Sequence, residues 1–404
     1  MATSRSRESA DIESRDACPV CERNALKSTN DNPLLALRAL GQSVWLDFIR
    51  RDLVQSGELA RLVAEDDLRG LTSNPAIFEK AMVGGAEYAD AIGGAARAGL
   101  DAATVYESLA IEDIRAAADV MKEVHASSAG ADGFVSLEVS PALANNTQGT
   151  LTEARRLWRA VDRANLMIKV PGTPAGIPAI RQLISEGISV NVTLLFARSA
   201  YEAAAEAYLS GLETLAAAGG NLAGTASVAS FFVSRIDSAV DALLEARIAA
   251  ADAALAQKLK MLRGKAAIAN AKLAYASFEK MLAGKRWKSL AAAGARPQRL
   301  LWASTGTKNP AYRDVLYVEE LIGPDTVNTL PPATLAAFRD HGKPRSSIGE
   351  GLAEARLQLA ELEQAGISLD SVTDRLLDEG VTLFADAFNK LLGALESRLR
   401  TPPS

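Results

Sequence analysis

The run Leu166-Met167-Ile168-Lys169-Val170 places a lysine inside an apolar stretch, and Pro171-Gly172-Thr173 turns the chain directly after it. Such a run reads as a strand buried on both faces, as in a parallel sheet. An ammonium buried there must pair with a carboxylate or give up its proton. In neutral form it is a nucleophile whose natural target is a carbonyl carbon, giving a Schiff base. In charged form it is a lysine near a strand end that reaches water or answers a buried acid. One strand leaves both readings open.

Other short strand-like runs also finish in polar groups. Asp47, Asn74 and Glu138 end the first three. The fifth carries Asn191 and Thr193, two apart and therefore on one face. Ser230 ends the sixth, with Arg235 just beyond it. Ser304 ends the seventh, with Lys308 in the following loop. Each has a plainer use. Asp47 could cap a helix and Asn74 before proline could serve a turn. Glu138 could keep Lys169 charged, and Asn191 with Thr193 could satisfy each other. Ser230 could fill space, and Arg235 and Lys308 could be solvated surface charges.

Taken as a set, these residues support carbonyl chemistry through an imine. Lys169 attacks a ketone, and Glu138, through a water, moves protons as carbinolamine becomes iminium. Asp47 takes a proton from a hydroxyl two carbons away, and a C–C bond breaks. Asn74 and Asn191 hold hydroxyls. Arg235 and Lys308 hold a terminal phosphate, with Ser230 and Ser304 as added donors.

The elements that must position these groups alternate. Strands are expected over 43–48, 70–75, 133–139, 166–172, 188–196, 226–233, 298–304 and 326–331. Helices are expected over 33–40, 51–66, 150–162, 176–186, 199–218 and 314–322. The connection 75–125 should hold three helical pieces broken at Gly84-Gly85 and Gly93-Gly94. An Ala-rich stretch, 237–293, and the remainder, 332–399, also read as helical. Eight strands each followed by helix form the (β/α)8 barrel pattern, whose chemistry sits at the C-terminal ends of its strands. A barrel needing only stability would fill those positions with Val, Ile and Leu.

The 404-residue chain exceeds the roughly 250 residues such a barrel needs. Residues 1–32 are polar and aperiodic and read as a mobile tail, leaving 33–404 for the barrel and its extra helices. Cys18-Pro19-Val20-Cys21 in the tail has no second CxxC and no nearby histidine. A formal net charge of −5 argues against nucleic acid. No apolar run approaches a membrane span, and no apolar leader is visible, so a cytoplasmic setting is the default. Two cysteines and two histidines make a metal enzyme or a disulfide scaffold a poor fit. No metal or other cofactor is expected.

On these residues the chain resembles the transaldolases. Gly133-Phe134-Val135-Ser136-Leu137-Glu138-Val139-Ser140-Pro141 resembles the family's third strand. Met167-Ile168-Lys169-Val170-Pro171-Gly172-Thr173 resembles its Schiff-base strand, and Asn191-Val192-Thr193-Leu194-Leu195-Phe196 its fifth. Trp45-Leu46-Asp47 and Thr72-Ser73-Asn74-Pro75 resemble the first two. The resemblance implies transfer of a dihydroxyacetone unit from sedoheptulose 7-phosphate to glyceraldehyde 3-phosphate in the non-oxidative pentose phosphate pathway. The products would be erythrose 4-phosphate and fructose 6-phosphate. By position, Lys169 resembles the Schiff-base lysine, Glu138 and Thr193 the proton relay, and Asp47 the base for cleavage. Asn74 and Asn191 resemble the ligands of the dihydroxyacetone hydroxyls, and Arg235 with Ser230 the phosphate contacts. Shorter members carry an arginine after the seventh-strand serine, where this chain reads Ser304-Thr305-Gly306-Thr307-Lys308. Asn145-Asn146-Thr147 stands where an Asp is expected before the threonine, at a position that reads as structural.

Two rival readings remain at this point. A fructose 6-phosphate aldolase shares the imine but releases free dihydroxyacetone; that group carries glutamine and tyrosine where this chain has Glu138 and Phe232. A catalytically silent barrel would have lost one of Lys169, Glu138 or Asp47. Whether the chain forms a homo-oligomer is open.

Overall fold

A computed structural model describes residues 32–400; residues 1–31 of the expected tail, with the cysteine pair, lie outside them, and Asn32 caps the first helix. Eight parallel strands close into a barrel in sequence order: β1 (Gln42–Leu46), β2 (Leu68–Leu71), β3 (Phe134–Glu138), β4 (Leu166–Pro171), β5 (Val190–Leu195), β6 (Ser227–Phe232), β7 (Arg299–Ala303) and β8 (Thr326–Leu330). β1 pairs with β8, which removes every free edge. The fold is therefore the (β/α)8 barrel that the alternation implies.

Strand positions follow the expected order, most with ends trimmed by one or two residues, while β1 and β2 begin at Gln42 and Leu68, earlier than expected. β2 is the main revision. It stops at Leu71, and Asn74 opens the next helix instead of closing the strand. The helix expected over 51–66 is two helices, Arg51–Gln55 and Glu58–Asp66. Gly57, at φ 81°, supplies the left-handed turn between them. Gly93-Gly94 breaks nothing; both lie inside helix Ala89–Arg97, and the chain breaks after it, before Asp101 caps helix Ala102–Val120. The Ala-rich stretch divides into Ser234–Ala250, Ala253–Lys260, Ala266–Ala283 and Lys285–Ala292. The helix expected over 314–322 shrinks to Leu316–Glu319.

The last helix, Leu369–Arg400, is 32 residues long and packs against helices Pro75–Gly84 and Ala102–Val120. Arg398 donates to the Met82 carbonyl, and Lys390 pairs with Glu79 at 2.8 Å. This helix crosses the end of the barrel from which the strand C-termini emerge. Among the described residues no helix is long and apolar enough to cross a membrane.

Candidate active site

Strand register brings the central residues together. Glu138 on β3 is level with Lys169 on β4, and Lys169 is level with Asn191 on β5. In a parallel sheet, residues level on adjacent strands point the same way, so the three form one layer. Lys169 is 4 % exposed. Its Nζ lies 3.2 Å from Glu138 Oε2 and donates to the Ser73 carbonyl at 2.9 Å.

Apart from Lys169, no group among the described residues reaches either Glu138 carboxylate oxygen as a hydrogen-bond donor. Burial pushes its pKa up to about 7, with Lys169 opposing and Asp47 adding to the rise. A carboxyl poised near neutrality can give and take a proton under ordinary conditions. The hydroxyl of Thr193 is also buried without a partner among the described residues. β5 changes register against β6 between Val192 and Leu195, and Leu194 stands at φ 59°. A bulge carrying a branched residue in the left-handed region is strained backbone, directly after Thr193.

Asp47 follows β1 and accepts from Thr72 Oγ1 at 2.8 Å, and Thr72 also meets Thr329 at 2.8 Å. Burial raises the Asp47 pKa, while Lys169, Thr72 and Lys308 act against the rise. Asn191 is held from both sides, donating to Ser136 Oγ at 3.0 Å and accepting from Ser230 Oγ at 2.7 Å. It therefore does not satisfy Thr193. Asn74 Oδ1 accepts from Ile77 N at 3.0 Å and caps helix Pro75–Gly84, so its turn role is real. Asn146 likewise caps helix Thr147–Val161, in keeping with a structural position.

A cavity of about 320 Å³ opens above this layer. Lys169, Asp47, Asn74, Thr193 and Ser230 line its inner part, and Arg235, Ser304 and Lys308 line it from β6 and β7. Of the ten residues singled out from sequence, Glu138 and Asn191 stand behind this wall, reaching the cavity through Lys169 and Ser230. Arg235 lies 5.7 Å from the Phe232 ring centre, and burial lowers its pKa against the pull of Glu379. Among the described residues neither Arg235 nor Lys308 has an ion-pair partner. Ser304, at φ 56°, meets Ser234 Oγ at 3.0 Å. A second cavity, about 210 Å³, lies on the other side of Glu138 beside Tyr106 and Glu153 and has no lysine in its wall. Among the described residues no three His, Cys, Asp or Glu side chains gather as a metal ion would need.

Among the other residues that line the cavity, Thr72, Lys80, Thr329 and Phe384 escape a reading by strand ends. Thr72 and Thr329 had a findable pattern, a hydroxyl at the end of an apolar run. Lys80 and Phe384 lie on helices whose sequence shows nothing beyond ordinary amphipathic spacing.

The sequence model of the Transaldolase/Fructose-6-phosphate aldolase family matches residues 44–395. "Transaldolase 2" of Nostoc sp. (strain PCC 7120) is 48% identical over 373 residues, covering 91% of this chain and 98% of its own. "Transaldolase" of Thiobacillus denitrificans is 50% identical over 356 residues, covering 88% and 97%. "Transaldolase" of Neisseria gonorrhoeae is 49% identical over 359 residues, covering 89% and 98%. The family match begins within β1, takes in β2 to β8 and ends within the helix that crosses the cavity, and this chain belongs to the transaldolase/fructose-6-phosphate aldolase family.

Proposed function

We propose that the enzyme is a transaldolase working through a Schiff base on Lys169. It moves a dihydroxyacetone unit from sedoheptulose 7-phosphate to glyceraldehyde 3-phosphate, giving erythrose 4-phosphate and fructose 6-phosphate. The observation that carries this reading is a buried lysine facing a sugar-sized cavity, 3.2 Å from a carboxyl held near neutrality.

The amine of Lys169, in its neutral form, attacks C2 of the ketose. Glu138, behind the cavity wall, passes its proton through a water that Thr193 Oγ orients to the departing hydroxyl, which leaves as water. The iminium then draws electrons from the C3–C4 bond. Asp47 takes the proton of the C4 hydroxyl, the bond breaks, and the aldehyde leaves. The remaining enamine attacks the second aldehyde, whose oxygen takes the proton back from Asp47. Water returns to C2, the C–N bond breaks, and Lys169 is released. Asn74 and Asn191 are assigned to the hydroxyls of the three-carbon unit. Arg235 and Lys308, with Ser230 and Ser304, are assigned to the phosphate.

The runner-up is a fructose 6-phosphate aldolase. An acid at Glu138 and an apolar ring at Phe232 favour the transferase, which must keep its enamine from water until the second aldehyde arrives. We read 33–404 as one catalytic unit. The place of the reaction is the non-oxidative pentose phosphate pathway of the cytoplasm, in keeping with the low cysteine content.

The test is product identification. Fructose 6-phosphate with erythrose 4-phosphate should yield sedoheptulose 7-phosphate and glyceraldehyde 3-phosphate, and Lys169→Ala should yield neither. Release of dihydroxyacetone at the rate of fructose 6-phosphate consumption, with no seven-carbon product, would make the enzyme an aldolase.

A further inference from the structure

The C-terminal helix Leu369–Arg400 brings one side chain to the reacting nitrogen. Phe384 lines the cavity, is 7 % exposed, and has its ring centre 5.5 Å from Lys169 Nζ, with the nitrogen over the ring. The helix is set closely against the strained bulge of β5. A Cβ on Gly380 would meet Leu194 Cδ2 at 3.0 Å, so glycine at this position lets the helix lie low over the barrel. One turn beyond Phe384, Phe388 stacks edge-on with Tyr106 at 5.2 Å, and Tyr106 with Phe78 at 5.8 Å. The end of the helix is tied down by Lys390 and Arg398. Phe384 is thus carried on a rigid, multiply anchored element.

The chemistry gives that position a consequence. After C–C cleavage the Lys169 enamine has two fates. Its C3 carbon attacks an aldehyde, forming a C–C bond, or it takes a proton from water. In the second case the iminium adds water at C2, the C–N bond breaks, and dihydroxyacetone leaves with Lys169 restored. Only exclusion of water and proton donors separates transfer from release. Phe232, tilted against Phe196 with ring centres 5.1 Å apart, forms an apolar wall at the end of β6. The helix side of the cavity has Phe384 as its aromatic residue.

We infer that Phe384 is a specificity-determining residue of this reaction: its ring seals the Lys169 intermediate from water and so sets the ratio of transfer to release. The ring face also lies where an iminium charge forms, a favourable place for a cation. This inference rests on the Schiff-base reading above.

The experiment measures two things on wild type, Phe384→Ala and Phe384→Leu: dihydroxyacetone released per transfer, and the borohydride-trapped adduct on Lys169. Phe384→Ala should raise release relative to transfer by about tenfold or more, the scale set by removing one wall group of a pocket. Phe384→Leu, which keeps an apolar group of similar bulk, should stay near the wild-type ratio. Should the alanine variant fold poorly, Phe384→Gln keeps the length, brings a water-binding amide to the same place, and carries the same expectation. An adduct that forms normally with an unchanged ratio in the Ala or Gln variant overturns the role of Phe384 and leaves the Schiff base intact. Absence of adduct in the wild type overturns the Schiff-base reading itself.

Discussion

Two carboxylates bracket β3. Asp132 stands just before the strand, Glu138 is its last residue, and each is 7 % exposed. Asp132 is fully engaged. It accepts from Ser43 Oγ at 2.8 Å, Trp45 Nε1 at 3.2 Å and Arg299 at 2.8 Å, and Arg299 also donates to Ser43 and to the Ala131 carbonyl. Glu138 has Lys169 at 3.2 Å and no other donor among the described residues. A buried polar group is normally satisfied, and one left unsatisfied calls for a reason. At the N-terminal end of the barrel the charge is spent on holding β1, β3 and β7 together. At the C-terminal end it is kept available. Burial alone therefore does not distinguish a structural acid from a chemical one; the partner set does.

Substitutions can separate the two ends. The largest effect on catalysis is expected from Glu138→Gln. It should lower kcat by about 10²–10⁴-fold, the range for losing a general acid–base group, with no loss of thermal stability. The reverse should hold for Asp132→Ala. Removing one partner of a buried ion pair costs about 3–5 kcal/mol, so its melting temperature should drop sharply while KM and kcat of the folded protein stay near wild type. Equal losses of stability in the two variants would erase the contrast. A smaller effect belongs to Arg235→Ala. Hydrogen bonds to charged groups are worth about 1.5–3 kcal/mol, so KM for the sugar phosphate should rise roughly 10–100-fold with kcat less affected. Arg235→Ala with an unchanged KM would leave Lys308 to hold the phosphate.

The smallest expected effect is a pH dependence of stability. Burial holds the folded-state pKa of Glu138 above its unfolded value, up to about 7. Folding then favours the protonated acid, so its contribution is complete below the unfolded value near 4.5 and is lost as pH rises through 7. Glu138→Gln should therefore gain stability relative to wild type between pH 5 and 8, read as the difference in melting temperature at each pH. A difference that is flat across that range would mean that Glu138 folds with an ordinary carboxylate pKa. Asp237 should add a similar slope, since burial also pushes it up to about 7 despite hydrogen bonds from Ala267 N and Tyr317.

The barrel was legible because its strands are short apolar runs with Gly or Pro nearby, and each ends where a polar residue interrupts it. Lys169 on β4 followed from that count. Asp47, Glu138 and Thr193 follow from the same rule, since strand ends share one rim. Asn74 was half read. Asn-Pro reads as a strand end or a turn; its cap on helix Pro75–Gly84 and the early end of β2 at Leu71 come from the structure. The glycines misled in one place, because Gly93-Gly94 is held helical by packing around Ile92. Phe384 was beyond reach. Its meeting with Lys169 is a contact between residues over two hundred positions apart, made by the path of a helix that local periodicity does not specify.

The central claim is that the unsatisfied polar groups at the C-terminal end serve an imine on Lys169. The most direct test is to incubate the protein with fructose 6-phosphate, reduce with borohydride, and map the adduct by mass spectrometry. The expected result is a reduced dihydroxyacetone unit on the Lys169 peptide, absent in Lys169→Ala and depleted when erythrose 4-phosphate is added before reduction. Folded protein that gives no adduct on Lys169 would contradict the account.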